Sequence, residues 1–117
     1  MKQDVVHYII CYYSNYFTET ESKAWRHWSS ATKLEQNPLS DDYPMIGTRK
    51  MYYKKGWMTH DSNILKLLEN GIDAFEIETA TRILNNHKIQ FNNCPKCNKL
   101  ARTPKAKQCR FCNHDWH

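Results

Sequence analysis

Four of the five cysteines fall in two pairs within residues 94–117. Cys94 and Cys97 are spaced C-x-x-C, Cys109 and Cys112 are spaced the same way, and eleven residues lie between the pairs. Thiolate is a soft ligand, and two cysteines at this spacing can turn both sulfurs toward one ion. Two such hooks complete a tetrahedral shell, and Zn²⁺ is the ion that such a shell suits best. A shell of four thiolates leaves no open position for water, which points to a structural metal rather than a catalytic one. Iron accepts the same ligands, but nothing in the chain marks an electron-transfer partner. His114 and His117 follow closely and could each replace a cysteine, although the second hook already fills the shell.

The residue after each hook fits this chemistry. A metal knuckle needs a positive φ just past its second cysteine, where glycine is the usual choice and asparagine the next. Here both positions are asparagine, Asn98 and Asn113. With its hooks and turns, the segment 94–112 resembles the zinc ribbons and the rubredoxin-like knuckles, though it lacks their glycines. The resemblance implies a metal-bound β-hairpin module and no single function, since zinc ribbons serve in RNA binding, DNA binding, protein docking and enzyme scaffolds. The ending is also similar to that of small bacterial proteins, which implies no activity.

Charge singles out the same module. Residues 94–117 carry Lys96, Lys99, Arg102, Lys105, Lys107 and Arg110 against Asp115 alone. They hold the whole net charge of +5, and residues 1–93, with eleven basic and eleven acidic side chains, sum to zero. A compact positive field suits a polyanion, and these six side chains are the candidate nucleic-acid contacts. Phe111, His114 and Trp116 stand among them, and aromatic rings can stack on unpaired bases, which favours RNA over DNA. The bland alternative is that the basic groups offset the charge of a zinc tetrathiolate, with Phe111 and Trp116 docking the module onto the rest of the chain. The corresponding functional alternative is a protein-docking adaptor with a purely structural zinc. A second basic and aromatic stretch, residues 49–57, reads more simply as aromatics in a core with lysines in water.

Enzyme signatures are missing. The chain has three glycines and no phosphate loop, and it has no nucleophile elbow and no H-E-x-x-H motif, so no catalytic residue is assigned. His7 and His27 could meet across two helices but read as ordinary helix residues. Cys11, in an apolar stretch, reads as a small buried hydrophobe. No small-molecule substrate is indicated. No secretory signal is seen, no stretch suits a membrane helix, and metal-bound thiolates favour a cytoplasmic location.

The elements that must carry this module are mainly helical. Val6, Ile9, Ile10, Tyr13, Tyr16 and Phe17 share one helical face over residues 4–17. Thr18 and Glu21 form a capping box for a second helix that reaches about Leu34. Residues 37–47 read as a loop and hinge, and residues 48–57 suit a short strand. Asp61 caps a third helix that ends at Gly71. Asp73 and Glu76 form a second capping box for a fourth, whose inner face is Phe75, Ala80, Ile83, Leu84 and His87. A helix-turn-helix over residues 61–88 is disfavoured because Asp73, Glu76 and Glu78 would face phosphates. The architecture expected is therefore a domain of about four helices over residues 1–90 and a zinc-ribbon β-hairpin over 91–117.

Overall fold

The computed structural model describes residues 2–35 and 46–117. The loop expected over residues 37–47 therefore lies almost wholly outside the described residues. The fold is mainly helical, as expected. Among the described residues the α-helices are α1 (Gln3–Tyr12), α2 (Glu19–Glu35), α3 (Ile46–Lys54), α4 (Ser62–Leu65) and α5 (Ile72–Asn86). Single 3₁₀ turns lie at Ser14–Tyr16 and Lys66–Leu68. The described residues contain isolated antiparallel bridges but no strand.

The chain divides into two compact units: residues 1–16 with 76–117, and residues 17–75. In the first, α1 buries Val6, Tyr8, Ile9 and Ile10, and α5 buries Thr79, Ala80 and Ile83. Tyr8 has a further role, because α1 is tied through it to the segment that leads into the first hook. Its hydroxyl donates to Gln90 O at 3.4 Å and accepts from the Asn92 N–H at 3.3 Å, and its ring lies 5.7 Å from that of Phe91. Tyr13 donates to the same Gln90 carbonyl at 3.0 Å. Tyr16 stacks on His87 at 3.8 Å and accepts at its carbonyl from Arg82.

In the second unit, the capping box of α2 is present. The Thr18 N–H donates to Glu21 Oε1 at 2.8 Å, and the Glu21 N–H donates to Thr18 Oγ1 at 3.1 Å. Ala24, Ile64 and Phe75 form one buried cluster, against which Trp25, Leu68 and Ile72 pack. Leu34 and Met58 form another, covered by Ala31, Tyr52 and Tyr53. Asp61 caps α4 by accepting from the Asn63 N–H at 2.9 Å.

Several local expectations need correction. The stretch that suited a strand is α3. Its arginine, lysines and methionine are good helix formers, and their preference outweighs the strand preference of Tyr52 and Tyr53. The helix is closed by Gly56, at φ 77°, with the Gly56 N–H donating to Tyr53 O and the Trp57 N–H to Tyr52 O. This is a Schellman motif, which requires a left-handed residue at that point. The helix expected over residues 61–70 is shorter and passes from α4 into a 3₁₀ turn before Gly71, at φ 94°. Helix α5 begins at Ile72, so Asp73 stands in its first turn rather than at its cap, where its charge still complements the helix dipole. Leu84 is exposed, since the buried stripe of α5 passes through Ala80 and Ile83.

Candidate metal centre and its surface

The two hooks are copies of one turn. An antiparallel bridge joins Asn93 to Leu100 around the first, and Gln108 to Asp115 around the second. The Cys94 N–H donates to Lys99 O at 2.9 Å, and the Cys109 N–H to His114 O at 2.8 Å. The Asn98 N–H donates to Cys94 O at 2.8 Å, and the Asn113 N–H to Cys109 O at 3.0 Å. Asn98 and Asn113 both sit at φ 62°, as their position after each hook requires. This backbone turns amide groups onto sulfur: the N–H groups of Lys96 and Cys97 reach Cys94 Sγ at 3.4 Å, and that of Phe111 reaches Cys109 Sγ at 3.4 Å.

The four sulfurs converge. Cys94 Sγ lies 3.7 Å from Cys112 Sγ, Cys97 Sγ lies 3.5 Å from Cys109 Sγ, and all four lie within 4.8 Å of one another. An ion with four thiolates at about 2.3 Å would set its sulfurs about 3.8 Å apart, so the cluster has the dimensions of a tetrahedral metal shell. Cys94 and Cys109, the first cysteine of each hook, are buried, while Cys97 and Cys112 are half-buried. None of the four is in a disulfide.

Four thiols so close cannot all ionise without a cation among them, and Cys94, Cys97 and Cys109 are driven apart accordingly. Cys109 is pulled down to about 6, chiefly by the Cys112 N–H, with burial opposing and the Phe111 N–H assisting. Cys94 is also lowered: burial opposes ionisation, but the N–H groups of Cys97 and Lys96 outweigh it. For Cys97 the Lys99 N–H favours the thiolate, but burial and the neighbouring sulfurs together overcome it and push the thiol up to about 11. A divalent cation would resolve the conflict by stabilising all four thiolates together.

Asn92, two residues before the first hook, organises the connector between the hooks. Its side-chain N–H groups donate to Thr103 O and Ala106 O at 2.9 Å each, and its carbonyl accepts from the Ala101 N–H at 2.7 Å. The Ala106 N–H returns to Thr103 O, closing a turn that contains Pro104. Only its position just before a hook could have signalled this role, because the groups its side chain bonds lie 11 and 14 residues further on. His114 and His117 are not part of the sulfur cluster. His114 stacks on Trp116, and His117 pairs with Asp115, whose carboxyl is lowered first by the His117 N–H.

Lys96, Lys99, Arg102, Lys105, Lys107 and Arg110 are all exposed. Phe111 does not dock the module: it is 49% exposed, with Lys99 Nζ 4.8 Å and Arg110 Cζ 4.9 Å from its ring centre. A single knuckle has too little apolar surface to bury this ring, and the two cations hold it at the surface instead.

The other singled-out residues stand apart from the sulfurs. Cys11 is exposed rather than buried, because the inner face of α1 is taken by larger side chains. Its sulfur lies 3.5 Å from His7 Nε2, and partial burial, followed by Glu76, raises its pKa, which opposes a nucleophilic role. His27 accepts from the Thr59 N–H at 3.0 Å and is held neutral by burial and by nearby His60. In residues 49–57 the lysines are exposed, and Trp57 is half-buried, with Lys55 at 5.1 Å and Arg26 at 5.8 Å. Among the described residues no helix is long and apolar enough to cross a membrane. No family model, no curated protein and no solved structure matches the chain.

Proposed function

We propose that the chain is a zinc protein of the knuckle or ribbon type that binds single-stranded nucleic acid, RNA in preference to DNA, through the surface of its metal module. Zinc is the ion that four converging thiolates favour, and it serves to hold the two turns together. Such a site belongs in a reducing compartment, the cytoplasm. The observation that carries the nucleic-acid reading is Phe111, held half exposed between Lys99 and Arg110. An exposed ring beside two cations can stack on an unpaired base while the cations meet its phosphates. The 2′-hydroxyl of an unpaired ribonucleotide adds a partner for the exposed polar side chains around it.

The test is direct binding of a labelled single strand as salt is varied. About four phosphate contacts give a log–log salt slope of roughly −3. Replacing Lys99, Arg102, Lys105 and Lys107 with alanine should remove most of the affinity and of the slope while one zinc per chain is retained. An intact, zinc-loaded chain that binds no strand at low salt would sink the reading and favour the docking adaptor.

A further inference from the structure

The module carries two arginines and four lysines, and the arginines are placed differently. A cleft of about 590 Å³ is lined by Asp4, His7 and Tyr12 of α1 together with Arg102 and Arg110. A second cleft, of about 570 Å³, is lined by Lys107, Asn113 and His117, again together with Arg102 and Arg110. Both arginines thus stand where the two clefts meet. Lys96, Lys99 and Lys105 line neither. Each cleft is of a size that holds a nucleotide-sized group.

We infer that Arg102 and Arg110 form a phosphate clamp between two nucleotide subsites, and that α1 supplies the far wall of one of them. This rests on the nucleic-acid reading above and deepens it. Guanidinium is a planar fork whose paired N–H groups match two phosphate oxygens, whereas an ammonium acts as a point charge. Two forks at the junction fix the position of one phosphate, and the nucleosides on either side of it enter the two clefts. In the first cleft the 43%-exposed ring of Tyr12 and the exposed imidazole of His7 meet a base. In the second, the Asn113 side chain offers an amide and Lys107 a further cation. Asp4 is the one carboxylate among these lining groups, and its Oδ1 accepts from the Val5 N–H at 2.9 Å. It leaves the first cleft less positive than the second, so the cleft on the α1 side takes the base and the arginines take the charge.

The discriminating experiment keeps the charge and removes the fork. A labelled oligouridylate and its deoxythymidine counterpart are titrated against the zinc-loaded chain and the double variant Arg102→Lys/Arg110→Lys. The clamp requires a loss of roughly tenfold or more from the arginine-to-lysine pair, the cost of giving up charge-assisted hydrogen bonds. The salt slope should not change, since the charge is kept. His7→Ala and Tyr12→Ala, both at exposed positions of α1, should each weaken binding severalfold with zinc content unchanged. Equal affinity of the Arg102→Lys/Arg110→Lys variant and the parent overturns the clamp while leaving a diffuse electrostatic surface intact. Unaltered binding by both α1 variants overturns the first subsite. No binding of either oligomer by the parent overturns the reading beneath them as well.

Discussion

The hydroxyl of Tyr8, in the middle of α1, accepts a hydrogen bond from the backbone N–H of Asn92 at 3.3 Å, two residues before the first metal-hook cysteine. The same hydroxyl donates to Gln90 O at 3.4 Å, and the Tyr8 side chain is almost wholly buried. Removing the hydroxyl alone leaves a partly buried N–H and carbonyl without this partner. Tyr8→Phe should therefore cost about 1 kcal/mol in denaturant unfolding, and Tyr8→Ala about 3–5 kcal/mol through the cavity it leaves. Zinc content measured on the Tyr8→Phe protein should stay at the parent value, because no sulfur ligand is touched.

The metal itself should be one Zn²⁺ per chain, released together with four titratable thiols. Structural zinc contributes on the order of 10 kcal/mol of apparent binding free energy to modules of this kind. A strong chelator should thus unfold residues 94–117 while the helical circular dichroism largely persists. Cys109→Ser should remove the metal. Absence of zinc from protein purified without chelator, by elemental analysis, would contradict this.

Asn98 and Asn113 tolerate φ 62° at modest cost, and glycine would tolerate it at less. Asn98→Gly and Asn113→Gly should keep or raise zinc affinity in a competition titration. Asn98→Val should lower it, by about 1–3 kcal/mol, because a β-branched residue is strained there. A valine variant that holds zinc as tightly as the parent would show that the turn does not control the site.

Phe111 is exposed and touches its two neighbouring cations, so Phe111→Ala should leave thermal unfolding nearly unchanged. Single-strand affinity should fall by about 1–3 kcal/mol, the usual worth of one base stacked on an aromatic ring. A large loss of stability with intact binding would reverse the assignment.

His27 accepts from the Thr59 N–H, which it can do only while neutral, and its pKa is lowered by burial and then by His60. A histidine with a depressed folded-state pKa binds its proton more readily in the unfolded chain. Its contribution to stability is present above the unfolded value of about 6.5 and is lost as pH falls below it. Between about pH 7.5 and about pH 5, the parent should lose stability relative to His27→Asn, which keeps an acceptor but does not titrate. A His27 resonance that titrates above about 6.5 by NMR would refute this.

Several features of the chain were decided by the sequence alone. The four cysteines and the asparagine behind each hook specify a local turn twice over, because C-x-x-C followed by a left-handed residue is a short-range geometry. The box of Thr18 and Glu21, the cap at Asp61 and the left-handed Gly71 were legible for the same reason, since each involves neighbours a few residues apart. Other features were settled only in three dimensions. Phe111 could have been buried or exposed, and among the described residues it is left exposed, with Lys99 and Arg110 beside its ring. Cys11 lies in an apolar stretch but falls outside the stripe that larger side chains fill. Asn92 carries no local sign beyond its place before a hook, and the placing of Arg102 and Arg110 at one cleft carries none. Their roles arise because the connector folds back onto Asn92 and because α1 shares a cleft with the two guanidinium groups. Short-range stereochemistry can be read along a chain, but which side of a residue is covered depends on the parts of the chain that fold against it.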